Sequence, residues 1–492
     1  MTEALRTPLD DLSGRRVVVA GIGVSGLAAA DVLAERGARV VAVDARDGAV
    51  QREAADILGV LGVEVRLGPD ATAGLPDVDG ATPDLVVTSP GWRPDAPVLA
   101  QAVRAGVPVW GDVELAWRLR PEGAAPWLCV TGTNGKTTTV RMLTSMLRAA
   151  GLRAEAIGNV GTPALHAVTA PEPLDVLAVE LSSFQLHWSS SISPQASVCL
   201  NIAPDHLDWH GSLEGYRADK GRVYEHAQVA CVYNVADPVT EQLVRDADVV
   251  DGCRAVGFTL GVPDISMVGV VDDVLADRAF VENRATSAAE LATLEDVAVA
   301  GGGVAAPHVV ANALAAAALA RAHGVPSGAV RDGLRSMLPE PHRITTVSES
   351  GGVRWVDDSK ATNTHAAEAS LAAFDSVVWV AGGLAKGAAF DDLVATHARR
   401  LRAVVLIGVD REPLRSALAR HAPDVPVVEV EPADTGAMVM RRVVGVAAGL
   451  AQPGDTVLLA PACASMDQFV DYNERGDAFA AAVREQLTGG EG

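Results

Sequence analysis

Lysine is almost missing from this chain of 492 residues: of its 40 basic side chains only Lys136, Lys220, Lys360 and Lys386 are not arginine. Arginine stays protonated and forked, whereas lysine is a slim point charge that can lose its proton and react. The four lysines are therefore candidates for places where a guanidinium would not serve. Cysteine is also sparse. Five residues (Cys129, Cys199, Cys231, Cys253 and Cys463) are scattered without a C-x-x-C pair. That spacing argues against a metal cluster or a disulfide framework and for a reducing compartment. An excess of positive charge is missing too, since the formal net charge is −22. Nucleic acid or an anionic membrane is thereby disfavoured as the main partner, and any phosphate-bearing ligand must be held by a local site. No apolar run, the Ala-rich stretch near 309–320 included, reaches the ~20 residues a membrane helix needs. The opening MTEALRTPLDDLSG has neither the basic nor the apolar stretch of a leader, so no signal peptide is expected. The expectation is a cytoplasmic protein without membrane insertion.

What is present is apolar and periodic. Hydrophobic residues make up 49% of the chain, and its length exceeds the ~250–300 residues at which single cores stop growing. From Arg16 the sequence reads strand (RVVVA), glycine turn, helix (GLAAADVLAERG) and strand (RVVAVD), with further strands at 85–89 and 107–110. PEGAAP (121–126) reads as a linker. A second series runs from WLCV through LAVELSS, ASVCLN and VACVYN to an Ala-rich helix at 309–323. The stretch 261–306 is Gly-rich and poorly periodic, and an irregular excursion is expected there. After LPEPHR (338–343) a third series contains VVWVAGG, AVVLIG, VPVVEV and TVLLAP. Strands alternating with helices imply parallel sheets. The fold class expected is α/β, as three consecutive domains: a Rossmann-like domain over 1–121, a central P-loop domain over 122–338 and a second Rossmann-like domain over 339–492.

Three groups of residues carry chemistry. Gly21-Ile-Gly-Val-Ser-Gly26, with Asp44 closing the next strand, fits a dinucleotide fingerprint. Taken alone it permits an NAD-dependent oxidoreductase, but nothing near it resembles hydride-transfer chemistry, and a glycine turn at a helix start suits any diphosphate. Thr131-Gly-Thr-Asn-Gly-Lys136-Thr-Thr138 follows a buried strand and opens a helix, the setting of a phosphate-binding loop. Lys136 would reach β/γ oxygens and Thr137 could ligate Mg²⁺. Val130 occupies the position of the first glycine in the full pattern. Glu180 ends LDVLAVE, where an acid for the metal belongs. His206 lies with Asn201, Asp205 and Asp208 after another strand, and Lys220 follows on a helix-like segment. In the third series, Asp358-Ser-Lys-Ala-Thr-Asn363 and Ala462-Cys-Ala-Ser-Met-Asp-Gln-Phe469 are strand-to-helix turns suited to gripping anions. Cys463 lacks a nearby histidine to activate it as a nucleophile.

Together GTNGKTT, VELSSFQL, NIAPDHLDWHG and the lysine after YRAD resemble the Mur ligase family, whose phosphate loop also lacks the first glycine. DDSKATN and PACASMDQF resemble the branch of that family that adds D-glutamate. The resemblance implies an ATP-dependent ligase joining D-glutamate to UDP-N-acetylmuramoyl-L-alanine in peptidoglycan precursor synthesis. A monomer is expected. By the same matching, Val24, Ser25, Asp44, Arg46, Ser89, Pro90 and Gly91 would meet the uracil–diphosphate, with Asn159 and His206 on the rest of that substrate. Gly132, Thr133, Asn134, Gly135, Lys136, Thr137 and Thr138 would hold ATP, with Asn312, His342, Arg343 and Asp358 around its adenine and ribose. Two Mg²⁺ ions are implied, one on Thr137 and Glu180, the other on His206 and a Lys220 carbamylated by CO₂. Lys360, Thr362, Ser465 and Tyr472 would hold D-glutamate, with tyrosine standing where phenylalanine is common. Lys136, Glu180, His206 and Lys220 are the catalytic candidates. Alternatives are a family member adding another amino acid, an oxidoreductase, and a non-catalytic nucleotide sensor; intact Glu180, His206 and Lys220 argue against the last.

Overall fold

The computed structural model describes residues 12–170, 172–337, 341–431, 433 and 435–488. Residues 338–340 of the LPEPHR junction lie outside these. The described residues form two compact units. One runs to Val271 and adds Ala276–Leu291 and Leu314–Gly333; the other comprises Asp272–Leu275, Ala292–Ala313 and Leu334 onwards.

Three α/β sheets follow one another along the chain. The first has five strands, β1 (Arg16–Ala20), β2 (Arg39–Asp44), β3 (Glu64–Leu67), β4 (Leu85–Thr88) and β5 (Val109–Gly111), in the order β3-β2-β1-β4-β5. All its pairings are parallel. Val17, Val18 and Val19 are fully buried, as a central parallel strand covered on both faces requires.

The second sheet has nine strands: β6 (Trp127–Thr131), β7 (Ala154–Gly158), β8 (Val176–Glu180), β9 (Ala196–Cys199), β10 (Ala230–Asn234), β11 (Arg254–Phe258), β12 (Met267–Val271), β13 (Val274–Asp277) and β14 (Ala289–Thr293). Their order is β14-β13-β12-β11-β10-β9-β6-β8-β7. Strand β6 therefore lies between β8 and β9, and the chain leaves it to opposite sides. Ligands of open α/β sheets bind beyond the strand carboxyl ends at such a switch point. The irregular excursion expected over 261–306 is corrected here. That stretch supplies β12, β13, β14 and the helix Leu294–Ala300. Its strands are only four or five residues long, too short for an alternation to stand out from the turns between them.

The third sheet contains β15 (Thr345–Ser350), β16 (Val353–Asp357), β17 (Val377–Gly382), β18 (Leu401–Ile407), β19 (Val427–Glu429) and β20 (Thr456–Leu459), in the order β15-β16-β20-β17-β18-β19. Only the edge pair β15·β16 is antiparallel. Because β16 pairs with β20, the turns that follow these two strands are neighbours. Among the described residues no helix is long and apolar enough to cross a membrane.

Candidate active site

The phosphate-binding loop leaves β6 at Thr131 and enters the helix Lys136–Ala149 through Gly135, whose φ of +86° is left-handed. A side chain there would be strained, and glycine admits the turn that aims the helix's first N–H groups outward. Asn201, from the loop after β9, holds this turn in place. Its Oδ1 accepts from Asn134 N at 2.9 Å and its Nδ2 donates to Asn134 O at 3.1 Å. Lys136 curls over its own loop, with Nζ donating to Gly132 O at 2.8 Å and Thr133 O at 2.9 Å.

Two further predicted residues converge on this loop. Glu180 ends β8 in register with Val130 of β6 and is 1% exposed. Its Oε1 accepts from Asn159 Nδ2 at 2.8 Å. Lys220, on the helix Leu213–Gly221, is 2% exposed, and its Nζ donates to Gly132 O at 2.8 Å and to Thr131 Oγ1 at 3.3 Å. Burial, and then the charge of Lys136, pulls its ammonium from 10.5 down to about 7. A lysine in that range is neutral often enough to act as a nucleophile.

Glu180 Oε2 is buried without a hydrogen-bond partner. A buried carboxylate oxygen left over in this way calls for a cation or water. With the Thr137 hydroxyl in the first turn of the adjacent helix, the donor set is the hard-oxygen kind Mg²⁺ prefers. His206 is placed differently. It has a left-handed φ of +52°, stands half-exposed 3.5 Å from Asp205 Oδ2, and packs its ring 4.8 Å from that of Phe184. Among the described residues, no three His, Cys, Asp or Glu side chains stand together as a metal cluster.

The first sheet presents the GIGVSG turn after β1. A Cβ on Gly26 would lie 1.7 Å from Gly21 O, so no larger residue fits this close approach. Asp44 is buried and serves the turn directly, its Oδ2 accepting from Ile22 N at 3.2 Å. Burial pushes its carboxyl up, but the hydrogen bonds from Arg46 and Ile22 outweigh that and leave it below its usual range. Ser89 Oγ donates to Gly21 O at 3.2 Å, and Val24 is exposed.

In the second unit, the Asp358–Asn363 turn follows β16 and the Ala462–Phe469 turn follows β20. Ala462 N donates to Ala361 O at 2.9 Å, joining the two. Lys360 Nζ stands 3.7 Å from the centre of the Tyr472 ring, a cation–π contact. Ser465, Asp358, His342 and Asn312 are buried. Burial raises the Asp358 carboxyl to about 6. His342 Nδ1 is bound to Asp357 Oδ2 at 2.7 Å, which raises the imidazole. Cys463 is buried and its thiol is pushed up to about 12, so it is a poor nucleophile.

Sequence reasoning missed several residues that the fold brings to these places. Arg475 is fully buried and clamps both turns, with Nη2 donating to Ser359 O at 2.8 Å and Nη1 to Cys463 O at 3.1 Å. Its only sequence signal is its position in a helix that follows the second turn. Tyr216 sits four residues before Lys220 and sets its hydroxyl 2.9 Å from Thr133 Oγ1. Asp219 and His210 form a buried cluster beside the site. The second histidine of DHLDWH and the acid preceding Lys220 were visible, but not their contact.

The family description "Mur ligase MurD-like, N-terminal domain" matches residues 15–111. "Mur ligase middle domain" matches 130–320, and "Mur ligase, glutamate ligase domain" matches 342–463. The chain is 63% identical to a UDP-N-acetylmuramoylalanine–D-glutamate ligase of Streptomyces avermitilis, over 96% of this chain and 98% of that one. It is 61% identical to the same-named protein of Streptomyces coelicolor, over 96% and 99% of the two chains. Among solved structures, a pseudomurein peptide ligase type C of Methanothermus fervidus shares the fold with a TM-score of 0.56 and 18% identity, over 96% of this chain and 100% of that one.

Proposed function

The chain belongs to the Mur ligase family, and from that premise we propose that it joins D-glutamate to UDP-N-acetylmuramoyl-L-alanine with cleavage of ATP to ADP and phosphate. The observation that carries this reading is the near-full-length similarity to the Streptomyces D-glutamate ligases. The substrate carboxylate attacks the γ-phosphate, giving an acyl phosphate and ADP. The amine of D-glutamate then attacks the acyl carbon and phosphate leaves.

The residues divide this work among them. The N–H groups of Gly132–Thr138 cradle the phosphates, and Lys136 turns from its loop carbonyls to the β/γ oxygens. Thr137 and Glu180 would hold one Mg²⁺, and His206 with carbamylated Lys220 the other. Bound there, the ions would neutralise charge on the transferring phosphoryl group. Lys220 as a neutral amine adds to CO₂, forming an N–C bond and releasing one proton, and so becomes an anion on a long stem. Asn312, His342, Arg343 and Asp358 border adenine and ribose. Val24, Ser25, Asp44, Arg46 and Ser89–Gly91 receive the uracil–diphosphate, with Asn159 and His206 on the rest of that substrate. Lys360, Thr362, Ser465 and Tyr472 receive D-glutamate, the ammonium and hydroxyls matching its carboxylates. The enzyme works as a cytoplasmic monomer.

The test is phosphate release with the UDP-muramoyl-L-alanine precursor and ATP against a panel of amino acids. D-Glutamate alone should support turnover. Release with another amino acid in its place, or with none, overturns the substrate reading.

A further inference from the structure

Beside the phosphate-binding loop, three buried side chains form a continuous hydrogen-bonded line that the reaction above does not use. Ser183 Oγ lies 3.0 Å from His210 Nε2, and His210 Nδ1 lies 2.8 Å from Asp219 Oδ2. Ser183 is 3% exposed and Asp219 6% exposed, and the His210 side chain is fully enclosed. An Asp219 carboxylate only accepts, so His210 carries a hydrogen on Nδ1. Burial favours the neutral imidazole, in which Nε2 accepts and Ser183 Oγ–H donates. His187 Nδ1 donates to the same carboxylate at 2.9 Å, and Arg222 Nε stands 3.6 Å from its other oxygen.

Serine, histidine and aspartate in this order are the arrangement of a hydrolase triad. That function is excluded here by burial, because no substrate carbonyl can reach the enclosed Ser183 Oγ. The ends of the line are more informative. Ser183 lies three residues after Glu180, and Asp219 immediately precedes Lys220. Neighbouring residues on a helix point about 100° apart. Asp219 therefore turns to His187 and His210 while Lys220 turns to Thr131 and Gly132. Tyr216, one turn earlier on the face of Lys220, holds Thr133. The rotation of the helix Leu213–Gly221 is thus pinned from two sides.

We propose that Ser183, His210 and Asp219 are positioning residues for the ligase reaction, a relay that sets the rotation of the lysine-bearing helix against the strand end carrying Glu180. The inference rests on the reading of Lys220 as the carbamylated residue. Ser183→Ala removes the terminal donor without changing the packing volume by more than one oxygen. Asp219→Asn keeps the shape but removes the charge that His187 and His210 share and leaves one acceptor oxygen where the carboxylate offers two.

The experiment measures full-length Ser183→Ala, Ser183→Thr and Asp219→Asn by steady-state kinetics, thermal unfolding and ¹³C NMR of the enzyme in ¹³C-bicarbonate. The expected result is a kcat about 10- to 100-fold lower in Ser183→Ala and Asp219→Asn, the range found when groups orienting a metal ligand are lost. KM for ATP should stay within about twofold, since an interaction made only in the transition state lowers kcat alone. Ser183→Thr, which keeps the hydroxyl, should recover most of the loss, and the carbamate resonance should weaken in Asp219→Asn. Wild-type kcat in folded Ser183→Ala and Asp219→Asn overturns the relay, as does a loss that Ser183→Thr fails to recover. If instead the wild-type enzyme shows no carbamate resonance, the Lys220 reading fails by itself, and the kcat and threonine results still decide whether the relay positions the site.

Discussion

Replacing Lys220 probes the chemistry most directly. Its ammonium is brought down to about 7 by burial and by Lys136, so about half of the amines are neutral at pH 7, against roughly one in a few thousand for an exposed lysine. The same shift bears on stability. The folded value is depressed, so the unfolded chain binds more protons between pH 7 and 10.5. The unmodified amine therefore destabilises the fold increasingly as pH falls through that window, by on the order of 5 kcal/mol at its lower end. On the reading proposed above, capture of CO₂ by the neutral amine would remove that burden and leave a metal-orienting anion in place of a buried cation. Arginine cannot follow, because its guanidinium stays protonated. Both Lys220→Ala and Lys220→Arg should lose about 10²–10³-fold in kcat, the range seen when one preorganised electrostatic group is removed. A short carboxylic acid such as acetate should partly restore the alanine variant by filling the vacated site. After CO₂ is stripped from the wild-type enzyme, the rate of reactivation by bicarbonate, followed by ¹³C NMR and phosphate release, should fall about tenfold per unit below pH 7 as the neutral amine is protonated. Wild-type turnover in the arginine variant, or the mass of an unmodified lysine in fully active enzyme, refutes the reasoning.

Lys136→Ala should leave the thermal transition intact and lower kcat by about 10²–10³-fold; ligation at the original rate would remove Lys136 from the ATP site. Lys360→Ala should raise KM for D-glutamate far more than KM for ATP, and an unchanged D-glutamate KM would move the amino-acid site elsewhere. Gly26→Ala drives a Cβ to 1.7 Å from Gly21 O, so uridine-nucleotide binding measured by calorimetry should be lost while ATP binding persists. In the same experiment on the unaltered protein, NADH should give no heat of binding; a tight NADH isotherm without binding of the UDP precursor would return the turn to a dinucleotide site.

The local backbone of this protein was legible in its sequence because it is local. A strand, a glycine turn and a helix are written in consecutive residues, so RVVVAGIGVSG and WLCVTGTNGKTT announced two strand-to-helix glycine turns, and both are present. The scarcity of lysine marks Lys136 and Lys220 among only four such positions, and both meet at Gly132 O. Strand length defeated the same approach over 261–306, where four- and five-residue strands join a sheet whose order no single strand encodes. Only tertiary structure could decide what the reactive groups face. A lysine on a polar helix reads alike whether it is solvated or sealed, and it is the packing of that helix among its neighbours, with the side chain directed to Thr131 and Gly132, that seals Lys220 and lowers its proton affinity. Likewise Ser183, His210 and Asp219 are separated by 27 and 9 residues, and Arg475 lies 116 residues from Ser359. Contacts at such separations are set by which strands lie side by side, a property of the whole sheet rather than of any segment within it.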